Sequence, residues 1–266
     1  PSIITLEQSK FDFSEALVIV ISQSGKSTDL VECERKSRLM GAKTVIITNN
    51  EDSPIINEAN YFLNMFAGEE KSVAATKTFT QTLLVLIKLI FICLGKKNIN
   101  DDIKKLCEII VNDSSNEWKT NIIDKYINTG FIIGRGVGFA LSNEISLKFK
   151  ELCQEMIEPF SSAEVMHGPK SLIENSFKLF LLGMNDKSGL TVNKDVNELK
   201  NYTNLVYEMS SNENVKSDFF YPSNKILELD SVILMSKFYP WIIRYTINKG
   251  LNPDEPRYLT KVTQTF

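Results

Sequence analysis

The chain has 266 residues, 43% of them hydrophobic and 24% charged, with a formal net charge of −3. That length holds one large or two ordinary domains with a real core. The charge balance excludes a basic field for nucleic acid and a polybasic membrane patch. The longest apolar run, Leu83 to Leu94, is broken by Lys88 and is too short to span a bilayer. It reads as a buried helix. Cys33, Cys93, Cys107 and Cys153 include no CxxC pair, and the single histidine, His167, cannot complete a zinc set with them. No metal site is expected. Three of the four cysteines fall in helical patterns as small core hydrophobes, which suits a reducing, cytoplasmic setting.

Residues 1–14 form a polar approach segment, and no signal peptide is visible. Ala16 to Ile21 is a continuous β-branched run, the mark of a strand buried on both faces of a parallel sheet. Ser22-Gln-Ser-Gly-Lys-Ser27 follows, then a helical pattern from about Thr28 to Met40 closed by Gly41. Lys43 to Thr48 is the next strand, Asn49-Asn50 turns the chain, and a short helix starts near Ser53-Pro54. Tyr61 to Met65 offers a third strand. A loop from Ala67 to Ser72 leads into a long helix to about Leu94. Strands alternating with helices imply right-handed crossovers and a three-layer α/β/α sandwich with a mainly parallel sheet. Helical patterns over residues 101–128 connect the halves.

The second half opens with Phe131 to Ile133 and Gly134-Arg-Gly-Val-Gly138. A long helix follows, then the His167 loop. Phe177 to Leu182 is another buried strand, followed by a helix to about Leu205. Phe219 to Tyr221 and Ile226 to Leu229 read as short strands. Asp230 reads as the N-cap of a helix to Asn248 that Pro240 should kink or split. The domains expected are 1–100, connecting helices 101–128, a second domain 129–250, and a tail 251–266. The halves partly repeat each other, and the second carries an extra leading βα unit. The chain begins at Pro1 without a methionine. The first domain is therefore expected to lack its opening βα unit.

Two stretches carry chemistry. Ser22 to Ser27 lies between a buried strand and a helix N-terminus, where an open α/β sheet places its ligand. Its hydroxyls, its glycine and the helix N–H groups suit a phosphate. It is neither a Walker loop nor a dinucleotide fingerprint, and a well-capped helix start is the plain alternative. Glu144, Lys148 and Glu151 fall at i, i+4 and i+7 on one helix face, with Leu147, Phe149 and Leu152 left to pack elsewhere. Carboxylates, a lysine and the nearby His167 could move protons on carbon. A solvated charge stripe is the plain alternative. Arg135 reads as a loop anchor.

These residues, with Ser72-Val-Ala-Ala-Thr-Lys77, Ala163-Glu-Val-Met-His-Gly-Pro169 and the tail Asp254-Glu-Pro-Arg-Tyr-Leu-Thr-Lys261, occur in the order of a known family. The chain resembles the tandem sugar isomerase (SIS) domains of the isomerase half of glucosamine-6-phosphate synthase. It also resembles stand-alone SIS-type glucosamine-6-phosphate deaminases. The resemblance implies that Ser22, Gln23, Ser24 and Ser27 bind the substrate phosphate and that Val73 and Ala75 offer backbone contacts to the sugar. It makes Glu151 the base that shuttles a proton between C1 and C2, with Glu144 and Lys148 as polar neighbours. It makes His167 the ring-opening group, reaching the site of a neighbouring subunit in a homodimer, and Lys261 the tail lysine that closes over the sugar. No metal or organic cofactor is implied.

The activity expected is a phosphosugar aldose–ketose isomerase. The first form is a deaminase converting glucosamine 6-phosphate to fructose 6-phosphate and ammonia. The alternative is the isomerase part of glutamine–fructose-6-phosphate aminotransferase. A sugar-phosphate sensor is the reading of another class. It would use Ser22 to Ser27 but has no use for Glu151 and His167 together.

Overall fold

The computed structural model describes residues 1–6, 11–114, 116–124 and 126–261. Residues 7–10 of the approach segment and 262–266 of the tail lie outside the described residues. The chain divides into two compact units. One runs to Leu86 and takes in Thr260 and Lys261, and the other is Ile87–Leu259.

In the first unit, α1 (Ser2–Thr5) precedes β1 (Leu17–Ser22), α2 (Thr28–Leu39), β2 (Lys43–Thr48), a 3-10 turn at Pro54–Ile56, β3 (Tyr61–Asn64) and the start of α3 (Lys77–Cys93). The strands run parallel in the order β1-β2-β3, with Val20 opposite Ile46 and Ile47 opposite Leu63. Alternation along the strands feeds two apolar layers. Val18, Val20 and Ile46 pack with Leu30 and Val31 of α2 on one face. Val45, Ile47 and Met65 pack with Val85 and Leu86 of α3 on the other.

β1 departs from the expected burial on both faces. Leu17, Ile19 and Ile21 are 59%, 40% and 40% exposed. The strand is the sheet edge, and a β-branched run dictates an extended backbone without dictating what covers each face. Leu83 to Leu94 is likewise helical but only partly buried. Ile87 and Phe91 are inside, while Ile90, Ile92 and Leu94 are exposed. A run that is apolar all round does not show which side faces inward.

The second unit contains α4 (Ile99–Asn112), β4 (Thr129–Gly134), α5 (Val137–Cys153), β5 (Met156–Ser161), α6 (Ser162–Val165), β6 (Lys178–Gly183), α7 (Lys187–Asp195), β7 (Val206–Ser210), β8 (Phe219–Phe220) and α8 (Leu227–Asn248). Its five-stranded sheet has the order β5-β4-β6-β7-β8, with every pairing parallel. Phe131, Ile133, Leu179 and Leu181 pack with Val192, Val196 and Leu199 on one side. Ile132, Phe149, Phe180, Phe238, Trp241 and Tyr245 are also fully buried. The Trp241 and Tyr245 rings stack at 5.3 Å.

Strands β5 and β7 were not expected. β5 carries Glu158 and Pro159 and forms the sheet edge, where a missing N–H is tolerated. The helix expected to reach Leu205 ends at Asp195 and passes through a 3-10 turn at Asn197–Asn201. Ile226 to Leu229 is no strand. α8 begins at Leu227, so Asp230 lies inside its first turn, accepting from Ser223 Oγ and the Asn224 N–H. α8 also continues through Pro240. An interior proline costs about 3 kcal/mol. Burial of Phe238, Trp241, Ile242 and Tyr245 offsets it, at about 1.5–3 kcal/mol for each large apolar side chain. All four cysteines are helical, but only Cys33 and Cys153 are buried. Leu147 is 44% exposed, while Phe149 and Leu152 pack inside.

Candidate active site

Each unit presents one cluster of the expected residues. In the first unit, Ser22 to Ser27 turns the chain from β1 into α2. Gly25 has φ +64°, and a Cβ there would lie 2.3 Å from Ser53 Oγ, so both the turn and the close approach call for glycine. Ser22 Oγ accepts from the Gly25 N–H at 3.1 Å, and Ser24 Oγ from the Lys26 N–H at 3.2 Å. Thr48 Oγ1 donates to the Gln23 carbonyl, and Asn50 Nδ2 to the Ser24 carbonyl. Asn49 braces the facing loop, donating to the Gly68 carbonyl at 2.6 Å and accepting from the Ala67 N–H. Ser27 is the N-cap of α2, yet no side chain caps that helix. This leaves the first-turn N–H groups for an anion.

The loop borders an open cleft of about 870 Å³ whose lining includes Gln23, Ser24, Lys26, Asn49, Glu70 and Lys261. Lys26 is exposed. Ser22 is 6% exposed and Ser27 half-buried, and neither is part of this lining. Lys261 Nζ donates to the Ser72 carbonyl at 3.2 Å. Val73 and Ala75 are half-buried in the segment before α3, outside the lining.

In the second unit, α5 carries Glu144, Lys148 and Glu151, and the plain reading of a solvated stripe does not describe it. Glu144 is 8% and Lys148 2% exposed. Lys148 Nζ stands 2.6 Å from Glu151 Oε2 and 3.4 Å from Glu144 Oε1. Tyr239 of α8 donates from its hydroxyl to Glu144 Oε1 at 2.7 Å. A buried ammonium requires such partners, because an unpaired charge at this depth is costly. Burial raises the Glu144 carboxyl above its ordinary range, opposed by Lys148 and by the Tyr239 hydrogen bond. Glu151 has the most open side chain of the three and lines a cleft of about 360 Å³ with Lys150, Gln154, Arg257, Tyr258 and Leu259. Glu151 is thus the accessible end of a largely buried cluster of charges.

His167 is exposed and lines a different cleft, of about 450 Å³, with Lys170, Ser171 and Tyr202. The structure does not bring it into the Glu151 cleft of its own chain. Arg135 is an anchor, as expected. Its Nη1 pairs with Asp195 Oδ2 at 2.8 Å, and the same oxygen accepts from Ser162 Oγ. Gly134 and Gly138 serve packing, since a Cβ on Gly134 would lie 2.5 Å from the Gly138 carbonyl carbon. Tyr239, Glu70, Asn49 and Asn50 were not anticipated. The two asparagines carried a signal, since a polar pair at the C-terminal end of a parallel strand faces the ligand edge. Among the described residues, no cluster of three or more metal-ligating side chains occurs, and no helix is long and apolar enough to cross a membrane.

The parallel strands of the first unit and the hydroxyl-lined turn under an uncapped helix lie within a match to a sugar isomerase domain. Residues 13–92 match the SIS domain family profile. The chain is further homologous to isomerizing glutamine–fructose-6-phosphate aminotransferases. It is 33% identical over 253 residues to that of Sulfolobus acidocaldarius, covering 92% of this chain and 42% of that protein. The chain therefore spans less than half the length of the curated relatives it matches. The solved structure of a candidate phosphosugar isomerase from Silicibacter pomeroyi superposes with a TM-score of 0.83 at 27% identity, covering 96% of this chain and 78% of that one. A glucosamine-6-phosphate deaminase from Thermotoga maritima shares the fold with a TM-score of 0.76 at 21% identity, covering 99% and 80%.

Proposed function

We propose that the chain is a phosphosugar aldose–ketose isomerase that converts glucosamine 6-phosphate to fructose 6-phosphate with release of ammonia. The observation that carries this reading is Lys148, buried between Glu144 and Glu151, with Glu151 the most open of the three and lining a cleft. A phosphate-binding module has no use for that arrangement.

In the proposed reaction the Ser22 to Ser27 loop and the α2 N-terminus hold the phosphate, with Val73 and Ala75 contributing backbone contacts to the sugar. His167 moves the ring-opening proton. Its separate cleft supports the reading that it serves a second copy of the chain in a homodimer. The Glu151 carboxylate removes the C2 proton of the open-chain aldose and returns a proton to C1, giving a ketose imine. Lys148 holds the charge of Glu151, and Glu144 with Tyr239 fixes Lys148. Water adds at C2 of the imine, and ammonia leaves. Lys261 closes over the sugar. Residues 129–250 act as a second SIS domain.

A second reading, the isomerase part of an aminotransferase, is supported by the 33% identity to the Sulfolobus enzyme. One experiment separates the readings. The protein is incubated with glucosamine 6-phosphate while ammonia and fructose 6-phosphate are followed, with Glu151→Gln as the control. Equal release of both, lost in the variant, supports the deaminase. In a parallel incubation with fructose 6-phosphate, formation of glucose 6-phosphate, with no ammonia released from glucosamine 6-phosphate, supports the isomerase part alone. Binding without turnover of either sugar rejects both in favour of a sensor.

A further inference from the structure

Two helices of the first unit begin near the 870 Å³ cleft, and they are treated differently. α2 has no side-chain cap. α3 has its N-terminus filled by Glu70, a residue that is 5% exposed and lines the same cleft. Glu70 Oε2 accepts from the Thr78 N–H at 2.8 Å, the Thr78 hydroxyl at 2.9 Å and the Thr76 N–H at 3.1 Å. Its Oε1 accepts from the Thr76 hydroxyl at 3.4 Å. A helix N-terminus is a ready anion site, and here a carboxylate of the chain already occupies it. The segment between Glu70 and Thr76 includes Ser72, whose carbonyl accepts from Lys261.

We propose that Glu70 is a positioning residue that sets the direction in which a phosphosugar lies. This rests on the phosphosugar reading above. By filling the α3 N-terminus, Glu70 denies that end to the phosphate and leaves α2 as the anion site. By gathering Thr76 and Thr78, it fixes the backbone of residues 72–75 against which the sugar lies. Its negative charge also repels a phosphate bound in the reverse sense.

The test compares orthophosphate with glucosamine 6-phosphate, each titrated calorimetrically into wild type, Glu70→Gln and Glu70→Ala. The neutral, isosteric Gln retains one acceptor for the cap. Glu70→Gln should bind orthophosphate more tightly and the phosphosugar roughly fivefold more weakly, the size of a weakened cap. Glu70→Ala, with the α3 end vacated, should bind a second orthophosphate where wild type binds one. A residue that only holds the fold weakens both ligands together, and a bystander charge strengthens both. Either pattern in Glu70→Gln overturns the proposal, as does an unchanged stoichiometry in a folded Glu70→Ala. If wild type binds no phosphosugar while Glu70→Ala gains an orthophosphate, the functional reading fails and the occupancy of α3 by Glu70 stands.

Discussion

Lys148 Nζ lies 2.6 Å from Glu151 Oε2, and the lysine is 2% exposed. A lysine at that depth needs hydrogen-bonding carboxylate partners, because an unpaired buried charge is costly. Lys148→Met therefore leaves Glu144 and Glu151 facing each other without a cation. The expected loss is about 3 kcal/mol of stability, the usual cost of breaking a buried pair from one side. If Glu151 is the base as proposed, the expected fall in kcat is roughly a hundredfold, on the scale of a misplaced general base. Urea unfolding and a coupled ammonia assay measure the two. A variant as stable and active as wild type would remove the lysine from the cluster.

The Glu144 carboxyl gives a pH signature. Burial holds its folded pKa above the ordinary value of 4.5, against the pull of Lys148 and Tyr239. Between the two values the folded chain binds more protons than the unfolded chain. The stability from this proton is complete below 4.5 and is lost as the pH rises through the folded value. Glu144→Gln has no proton to lose. The unfolding free energy of wild type relative to Glu144→Gln should therefore decline from pH 4.5 upward. Urea titrations at half-unit pH steps check this, and a flat difference would show that Glu144 is not desolvated.

The spacing of Glu144, Lys148 and Glu151 revealed a shared helix face, but not that the face is buried. That depends on α8, whose Tyr239 lies 95 positions away from Glu144. Helical periodicity reads a residue against its own turn and is blind to what a later helix brings. β5 stayed hidden because Glu158 and Pro159 interrupt an alternation that an edge strand does not need. The β1–α2 turn was legible because strand, glycine, hydroxyls and helix are adjacent in sequence. Its braces Thr48 and Asn50 come from the next strand and turn, so only their position at a strand end gave a hint. Glu70 had no signal beyond its charge, since the six to eight residues to its partners match no helical capping spacing.

Gly25 tests the turn. It adopts φ +64°, and a methyl group would meet Ser53 Oγ at 2.3 Å. Gly25→Ala should cost about 1–3 kcal/mol from the left-handed backbone alone, with the clash in addition. Orthophosphate binding should weaken with it. The double variant Gly25→Ala/Ser53→Gly removes the clash and keeps the backbone strain, so it should recover part of the melting temperature. Full recovery would show that the turn does not require the positive φ.

Glu155 predicts an asymmetry between the two ends of one ion pair. It is 1% exposed and binds three partners: Tyr245 OH at 2.6 Å, Lys249 Nζ at 2.7 Å and Lys178 Nζ at 3.0 Å. Lys178 is fully buried. Burial pulls its pKa below the ordinary lysine value, and Glu155 opposes that pull. Glu155→Ala strands this ammonium and should cost about 3–5 kcal/mol. Lys178→Met leaves Glu155 with a hydroxyl and a second lysine and fills the space with apolar atoms, so it should cost about 1 kcal/mol or less. The double variant should then be more stable than Glu155→Ala alone, because no stranded ammonium remains at position 178. Urea unfolding of the four proteins closes this cycle. If adding Lys178→Met to Glu155→Ala lowers stability further, the lysine is held by its packing and its tyrosine contact, and the carboxylate is not what keeps it charged.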